Sequence, residues 1–373
     1  ANPQLRELNE QALLMRVHDL AGGDARAVYK TLNMDMRQYK RIKMFIHAEA
    51  IEGEPLEDEQ MSAFIRLGTD YTDNYYEYEI PLKLTLPGIY SSIETDRYLV
   101  WPEENELNVP LDLFQQVKLR RNDEKRKSGS TLTFSDVYSW PDPNNTKNRV
   151  RIKGNPNLSN VVTVMIGTRA RGTGQKSAEV WFNELRLTDF NEDGGWAANA
   201  RTTIKLADLG SVSVAGQMST VGFGSIEKSV NERNQEDFHQ YDVATNLELG
   251  KLLGPKSRLS VPFYFGYSKS VANPKYYPLD PDVTLDVALD NAASEADRDS
   301  IKNISQTVIS RKSINFTNVR LNPKGAEVPF YSVSNLSASY SYSETNKRDI
   351  DTQYESNRDF NGSLAYNFNG NPK

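Results

Sequence analysis

The sequence predicts an all-β protein: an antiparallel, jelly-roll-like β-sandwich followed by an arc of a large transmembrane β-barrel. Three observations favour this fold class. Apolar and polar residues alternate with a period of two through much of the chain, as in strands with two different faces. Asn, Pro and Gly separate many short strands in the first half, as in sandwiches. In the second half, short and long connections alternate, as in outer-membrane barrels.

Residues 1–190 are predicted to form the sandwich. A strand near 160–169 has the continuous apolar character of a strand buried on both faces. Helices are expected over 4–20 and over 110–121, the second with Asp112 as its N-cap. The three clearest strands have apolar faces made of Ile42, Met44, Ile46 and Ala48; of Met61, Ala63, Ile65 and Leu67; and of Tyr76, Tyr78, Ile80, Leu82, Leu84 and Leu86.

Two features of this half allow more than one interpretation. Glu77 and Glu79 form a carboxylate pair of the type that glycosidases use. They alternate with the apolar residues of their strand, however, so an ordinary solvated face is expected for them. Trp101 and the tyrosines offer stacking surfaces for a glycan, although filling a core is the simpler role for such aromatic residues.

Residues 191–373 are predicted to form about seven transmembrane barrel strands. The alternation is strict enough to assign two faces. The predicted lipid-facing residues are Trp196, Ile204, Val212, Val214, Val243, Leu247, Val261, Phe263, Phe265, Tyr267, Leu364 and Tyr366. The predicted lumen-facing residues are Asn199, Arg201, Ser213, Asn246, Glu248 and Ser260. A soluble sheet with one wet face is the alternative, because the same polar residues suit solvent.

The connections give this half an orientation. Short turns of outer-membrane barrels are periplasmic and long loops lie outside. The strand at 196–206 is therefore expected to run inward, which makes residues 1–190 an extracellular cap or insertion domain. Seven strands do not close a bacterial barrel, so an arc of a larger barrel is expected. Connections expected to be short are 207–210, 251–257 and 322–329; those expected to be long are 220–238, 269–311, with a helix near 295–308, and 344–357.

Composition excludes several classes of function. The net charge of −6 provides no basic excess for nucleic acid, and the chain has no cysteine for disulfides, thiolate metal sites or cysteine nucleophiles. The longest largely apolar run, 161–166, is interrupted by Thr163 and is far shorter than the roughly 20 residues of a membrane helix.

The sequence offers little for catalysis. His18, His47 and His239 are scattered without metal-ligand spacing, and no catalytic or phosphate-binding motif is present. No enzyme activity and no cofactor are therefore expected. Asp189, Asn191 and Asp193 match the start of a calcium loop, but Ala200 stands where the bidentate Glu belongs, so a plain turn is the competing interpretation.

Several long segments resemble one family, the SprA (Sov) outer-membrane proteins of Bacteroidota. They are DARAVYK, MRQYKRIKMFIHAEA, AEVWFNELRLTDFNEDGGWAANAR, GFGSIEKSVNERNQED and NPKYYPLDPD, and the resemblance runs through nearly the whole chain. Members of the family are much longer, so the resemblance implies that this chain is an internal fragment.

The resemblance also implies a function. The family forms a very large single-chain barrel, the protein-conducting translocon of the type IX secretion system, and supports gliding motility in some members. The implied partners are secreted substrates with a C-terminal sorting domain, a smaller outer-membrane barrel that collects them, a periplasmic plug protein and membrane lipid, but no nucleic acid. The family supplies no catalytic residues. Two other functions stay open on the residues alone: another outer-membrane transport barrel, and a soluble glycan-binding surface protein.

Overall fold

The computed structural model describes residues 12–91, 93–228, 232–254, 256–325 and 328–368. The chain divides into two compact units, Ala1–Glu192 (unit 1) and Asp193–Lys373 (unit 2). Antiparallel strands dominate both, which confirms the predicted all-β class. None of the helices within the described ranges has the length and apolar character needed to cross a membrane.

Unit 1 contains ten strands and two α-helices in its described part. The strands are Leu13–Ala21 (β1), Ala25–Met34 (β2), Tyr39–Ala50 (β3), Met61–Gly68 (β4), Tyr75–Pro81 (β5), Leu107–Pro110 (β6), Tyr138–Pro141 (β7), Arg149–Lys153 (β8), Val161–Ala170 (β9) and Gln175–Phe190 (β10). The helices are Glu94–Val100 (α1) and Asp112–Arg126 (α2).

These strands form two sheets around one core. The four-stranded sheet has the order β1-β10-β3-β6 and the six-stranded sheet the order β2-β9-β4-β5-β8-β7. Strands β1 to β4 alternate between the two sheets. β10 lies between β1 and β3 in one sheet, and β9 lies between β2 and β4 in the other, an order typical of jelly rolls. The core takes side chains from both sheets, including Ile42, Ile46, Ile65 and Val180. The apolar faces predicted for β3 and β4 are buried here.

The predicted helix near 110–121 is confirmed as α2, and its start differs slightly from the prediction. The helix buries Leu113, Phe114 and Val117. Asp112 is its first residue rather than its N-cap, and its carboxylate accepts a hydrogen bond from the Gln116 side chain at 3.3 Å.

The helix predicted over 4–20 is wrong for residues 13–20, which belong to β1; residues 4–11 lie outside the described ranges. Met15 and Val17 alternate inward as in any strand, but the register shifts between Val17 and Leu20, with Asp19 at a φ of 50°. This bulge turns Leu20 inward and leaves the spacing of buried residues looking helical.

Unit 2 contains ten strands and two α-helices in its described part. The strands are Ala197–Leu206 (β11), Gly210–Ser219 (β12), Glu236–Glu248 (β13), Leu259–Ser260 (β14), Pro262–Pro274 (β15), Tyr276–Tyr277 (β16), Asp280–Thr284 (β17), Thr307–Leu321 (β18), Leu336–Arg348 (β19) and Glu355–Tyr366 (β20). The helices are Leu285–Asp290 (α3) and Glu295–Ser305 (α4).

The main sheet of unit 2 is an antiparallel meander with the order β11-β12-β13-β15-β18-β19-β20, and the short β14 pairs with β18. It is an open sheet rather than a closed barrel: β11 and β20 stand at its two edges among the described residues. Each strand of this order pairs with the strand that follows it in the order. β15 and β18 are joined by a long connection that contains β16, β17, α3 and α4.

Three predicted connections clearly differ from the structure. The connection expected over 269–311 covers 275–306, because β15 continues to Pro274 and β18 begins at Thr307, and it contains β16, β17, α3 and α4. The loop expected over 344–357 shrinks to 349–354, because β19 and β20 continue pairing as far as Lys347 and Glu355. Those added pairs are polar on both faces, so hydrophobic alternation does not reveal them. The turn expected over 322–329 ends later, because β19 begins only at Leu336. The helix expected near 295–308 is confirmed as α4.

Candidate functional site: a sheet with one apolar and one polar face

Unit 2 presents a wide sheet whose two faces differ in chemistry. Directly paired residues in antiparallel strands point to the same face, so the register of the sheet assigns every paired residue to one side. One continuous row across seven strands is largely aliphatic and aromatic. It contains Ile204, Val212, Thr245, Phe265, Ile314, Tyr342 and Phe360.

Neighbouring rows extend this apolar face toward the short turns. One row pairs Leu247 with Phe263, Phe316 and Tyr340, and another pairs Ala338 with Leu364. Aromatic rings on neighbouring strands contact each other: the ring centroids of Phe263 and Phe316 are 5.1 Å apart. Together these rows form an apolar band across the sheet.

The band ends where charged residues begin. Tyr267 pairs with Lys312, which pairs with Glu344, and Glu344 accepts a hydrogen bond from Arg358 Nε at 3.2 Å. Leu259 and Tyr267 mark the two limits of the band and are eight positions apart, about 27 Å along an extended strand. A tilt of about 40° reduces this height to about 20 Å, close to the roughly 25 Å band of outer-membrane barrels.

The opposite face is polar and internally hydrogen-bonded. Ser213 Oγ accepts from Arg201 Nε at 3.3 Å and from Thr203 Oγ1 at 3.2 Å. Gln217 donates across to Gln240 at 3.2 Å. Cations, carboxylates, amides and hydroxyls are interspersed along these strands, and no single sign of charge forms a continuous stripe.

Large apolar side chains of the band are exposed near the sheet edges and half-buried in the central strands. Phe360 retains 62% and Leu364 74% of its accessible surface, and Ile204 and Val214 are also exposed. Within the described part of unit 2, the buried hydrophobic residues are Ala272, Val283 and Leu285. The main sheet therefore has no second layer packed on its apolar band among these residues. An exposed apolar surface of this extent indicates contact with something apolar outside the described chain.

The residues predicted to face lipid and lumen separate onto the two faces. Ile204, Val212, Val214, Val243, Leu247, Phe263, Phe265, Tyr267 and Leu364 share the apolar face, and Tyr366 pairs with Leu336 at its end. Asn199, Arg201, Ser213 and Asn246 share the other face. Glu248 accepts from Ser260 Oγ at 3.1 Å. Val261 lies between β14 and β15, and Trp196 precedes β11, donating its N–H to Thr220 Oγ1 at 2.9 Å. What each face meets is a prediction.

Sequence reasoning missed part of the band. Ile314, Phe316, Tyr340 and Tyr342 lie in it, but β18 changes register between Phe316 and Val319. Asn318 takes a φ of 55° there, as the extra residue of a bulge. In the sequence, the period-two pattern near 314–321 slips by one residue midway, which indicates a bulge but does not show which residues continue the face.

The solvated face expected for Glu77 and Glu79 is wrong. Both carboxylates are buried, Glu77 to 1% exposure, on the outer side of the six-stranded sheet in unit 1. Three arginines cover them. The Glu77 carboxylate accepts hydrogen bonds from Arg66 Nε at 2.5 Å and from Arg151 at 2.6 Å. Arg169 donates to the carboxylates of both Glu77 and Glu79. Paired burial of this kind is not visible in strand periodicity, because the arginines come from β4, β8 and β9.

This cluster changes the proton affinity of its carboxylate. Burial alone raises the pKa of Glu77, but the charges of Arg169, Arg66 and Arg151 outweigh burial and hold the pKa below its ordinary value. The arrangement keeps Glu77 ionised and the sheet face ordered.

The other candidate sites are separate. Asp189 lies in β10 with a φ of 57°, and Asn191 and Asp193 follow it. Across the described ranges, no group of three or more His, Asp or Glu side chains is arranged to hold a metal ion. His47 is buried, with its Nδ1 2.6 Å from Val100 O and its ring 4.8 Å from that of Trp181. Trp101 packs on the same ring at 5.7 Å.

Fold and surface together define a class: an all-β protein that joins a packed sandwich to an open sheet with an exposed apolar band. Comparison with protein families identifies it further. The SprA_N family, described as motility related/secretion protein, matches residues 1–289, well over half of the chain. The chain belongs to this family, which confirms the resemblance seen in its sequence. A search of curated proteins returned no match.

Proposed function

We propose that this chain is part of the protein-conducting channel of the type IX secretion system in the outer membrane, where it passes folded substrates to the cell surface and supports gliding motility. Unit 2 supplies an arc of the barrel wall. The observation that carries the proposal is the exposed apolar band on one face of a single sheet whose other face is polar. Membership in a family of motility and secretion proteins supports the same function.

The open edges of the sheet support an arc rather than a complete pore. In lipid, each unpaired backbone N–H or C=O costs several kcal/mol, so a spanning sheet needs a neighbour at both edges. β11 and β20 have no strand partner on their outer sides among the described residues. Strands outside the described ranges complete the wall in this proposal.

The polar face suits the lumen of a channel for proteins. A folded substrate has apolar and charged patches of both signs, so a wall with extended apolar surface or one sign of charge would retain it. The mixture of Arg201, Ser213, Gln217 and Gln240 avoids both. We expect weak selection by charge along this wall.

Unit 1 is the extracellular cap or insertion domain in this proposal. Its partners, and those of the channel, are secreted proteins with a C-terminal sorting domain, the smaller barrel that collects them, a periplasmic plug protein and lipid. No enzyme activity, cofactor or nucleic-acid contact belongs to the proposal.

Cysteines introduced one at a time at adjacent positions test the membrane part directly, because residues 1–373 contribute no cysteine of their own. Val243→Cys places a label on the apolar face and Ala244→Cys places it on the polar face. In the intact protein reconstituted with brominated lipids, we expect quenching of a fluorophore at 243 and little quenching at 244. Equal quenching at both positions would contradict the face assignment.

Crosslinking tests conduction separately. A photoreactive side chain at Ser213, on the polar face, is expected to capture a secreted protein with a sorting domain during export. The same side chain at Val214, on the apolar face, serves as the matched control. If the label at position 243 contacts lipid but the photoreactive group at position 213 captures no substrate, the result would favour a membrane arc of another transport barrel.

A further inference from the structure

Unit 1 carries an apolar segment that its own core does not cover. Residues 86–91 and 93–99, hereafter the apolar arm, follow β5 and include most of α1. Sequence periodicity places Leu86 on the buried face of β5, but the strand ends at Pro81 and Leu86 retains 76% of its accessible surface. Ile89 is fully exposed, and Ile93, Tyr98 and Leu99 are exposed as well.

The arm is held firmly at its base. Thr85 N donates to Ala48 O at 2.8 Å, and Thr85 Oγ1 lies 3.3 Å from Leu99 O. His47 Nδ1 lies 2.6 Å from Val100 O. Both ends of the arm are therefore fixed to β3, and the apolar side chains project from an ordered support.

The helix in the arm lacks the usual source of stability. α1 has seven residues and buries none of them. Isolated helices this short are marginal in water, and helices in proteins gain most of their stability from a packed face. Clustered exposed apolar residues also mark interaction sites. The exposed apolar side chains of the arm therefore indicate a surface that contacts another molecule.

Carboxylates surround the arm. Residues 51–60 and 94–106 together carry ten acidic residues and a single basic one, Arg97. Both stretches lie against residues 82–84. Glu59 N donates to Leu82 O and Leu84 N donates to Asp58 Oδ1, each at 2.8 Å, and Lys83 N donates to Asn105 Oδ1 at 2.8 Å. Glu94 and Glu103 are exposed. Lys83 pairs with Glu104 at 2.8 Å and Lys147 pairs with Glu59 at 2.6 Å, but the carboxylates still outnumber these cations. The surface therefore combines an apolar centre with a rim of net negative charge.

We propose that the apolar arm and its acidic rim dock a partner protein through an amphipathic basic segment, with apolar side chains over Ile89, Ile93 and Leu99 and Lys or Arg side chains over the rim. Charge complementarity selects this occupant. A membrane surface fits poorly, since anionic headgroups would repel a rim of net negative charge. The inference goes beyond the channel proposal and is independent of what the sheet of unit 2 contacts.

The test uses the whole chain and a defined probe. A fluorescent amphipathic helical peptide of Leu and Lys is titrated by anisotropy, with the matching Leu/Glu peptide and phosphatidylcholine vesicles as comparisons. Ile89→Ser and Glu103→Lys alter the proposed surface. Val137→Ser and Glu355→Lys alter exposed residues elsewhere and serve as matched controls. All four positions are exposed, so folding is expected to persist, and circular dichroism verifies it.

We expect the Leu/Lys peptide to bind and each altered-surface variant to weaken binding by about tenfold, while the controls leave binding unchanged. Higher salt should weaken binding further. Equal effects of Glu103→Lys and Glu355→Lys would overturn the proposal, because binding would then follow net charge alone. Absence of peptide binding, or stronger binding to the vesicles, would overturn it too.

Discussion

At the residue scale, charge placement decides how the outer side of the sandwich is stabilised. Glu77 is buried yet ionised because Arg66, Arg151 and Arg169 surround it from three strands. Ser62 Oγ also donates to Glu79 at 2.7 Å. Removing one partner of a buried ion pair leaves an uncompensated buried charge. The resulting loss of stability is larger than the net stability that the intact pair contributes.

The first prediction concerns Glu77→Gln. Three arginines would lose their shared carboxylate, so we expect a decrease of about 3–5 kcal/mol in the free energy of unfolding of unit 1. Chemical denaturation followed by tryptophan fluorescence measures it. Glu104→Gln is the control: its partner Lys83 is exposed, and surface pairs contribute little. Similar destabilisation by both substitutions would contradict the cluster's importance.

The same cluster predicts a dependence on pH. The pKa of Glu77 in the folded state is below its unfolded value, as is the pKa of Asp70, whose burial is outweighed by hydrogen bonds from the backbone of Asp73 and the side chain and backbone of Asn74. Both groups therefore add stability above the ordinary carboxyl pKa, about 4, and lose it as pH falls through the folded values. We expect unit 1 to lose stability on acidification below about pH 4, and Glu77→Gln to lose less. If the free energy of unfolding fell equally with pH in the wild-type and Glu77→Gln proteins, Glu77 would not be a source of the pH dependence.

At the element scale, a tight turn sets the register of the meander. Gly210 follows the turn between β11 and β12 with a φ of 143°, in a region that favours glycine. An added Cβ would lie 1.9 Å from Asn246 O on β13. Since a one-residue slip exchanges the two faces of a strand, this close approach protects the separation of apolar and polar sides.

The element-scale prediction is therefore a glycine comparison. Gly210→Ala should disturb the pairing of β12 with β13 and increase amide hydrogen exchange there. Gly216→Ala, on the same strand, should not, because its nearest contact would be Gln240 O at 3.9 Å. Hydrogen exchange by mass spectrometry on the reconstituted protein measures the difference, and equal protection in the two variants would refute the proposed constraint.

At the scale of the whole molecule, local alternation reveals much of the fold. The apolar faces of β3 and β4 and the two faces of β11 to β15 follow from period-two patterns, because each side chain meets one environment. The pattern fails where a bulge interrupts it, as in β1 and β18, and where polar residues pair on both faces, as in β19 and β20. It also fails for Glu77, whose partners are distant in sequence. Periodicity and register assign residues to the two faces of the sheet, but neither identifies what covers the apolar band.

The two units are consequently expected to behave differently when separated. Residues 1–192 have a core drawn from two sheets, so they should be monodisperse without detergent. Residues 193–373 expose Ile204, Phe360 and Leu364 and should require detergent or lipid to stay in solution, because this apolar surface has no cover within the described unit. Size-exclusion chromatography with light scattering, with and without detergent, distinguishes the cases. A detergent-free, monodisperse monomer of 193–373 would remove hydrocarbon as the partner of the apolar band and favour a soluble surface protein.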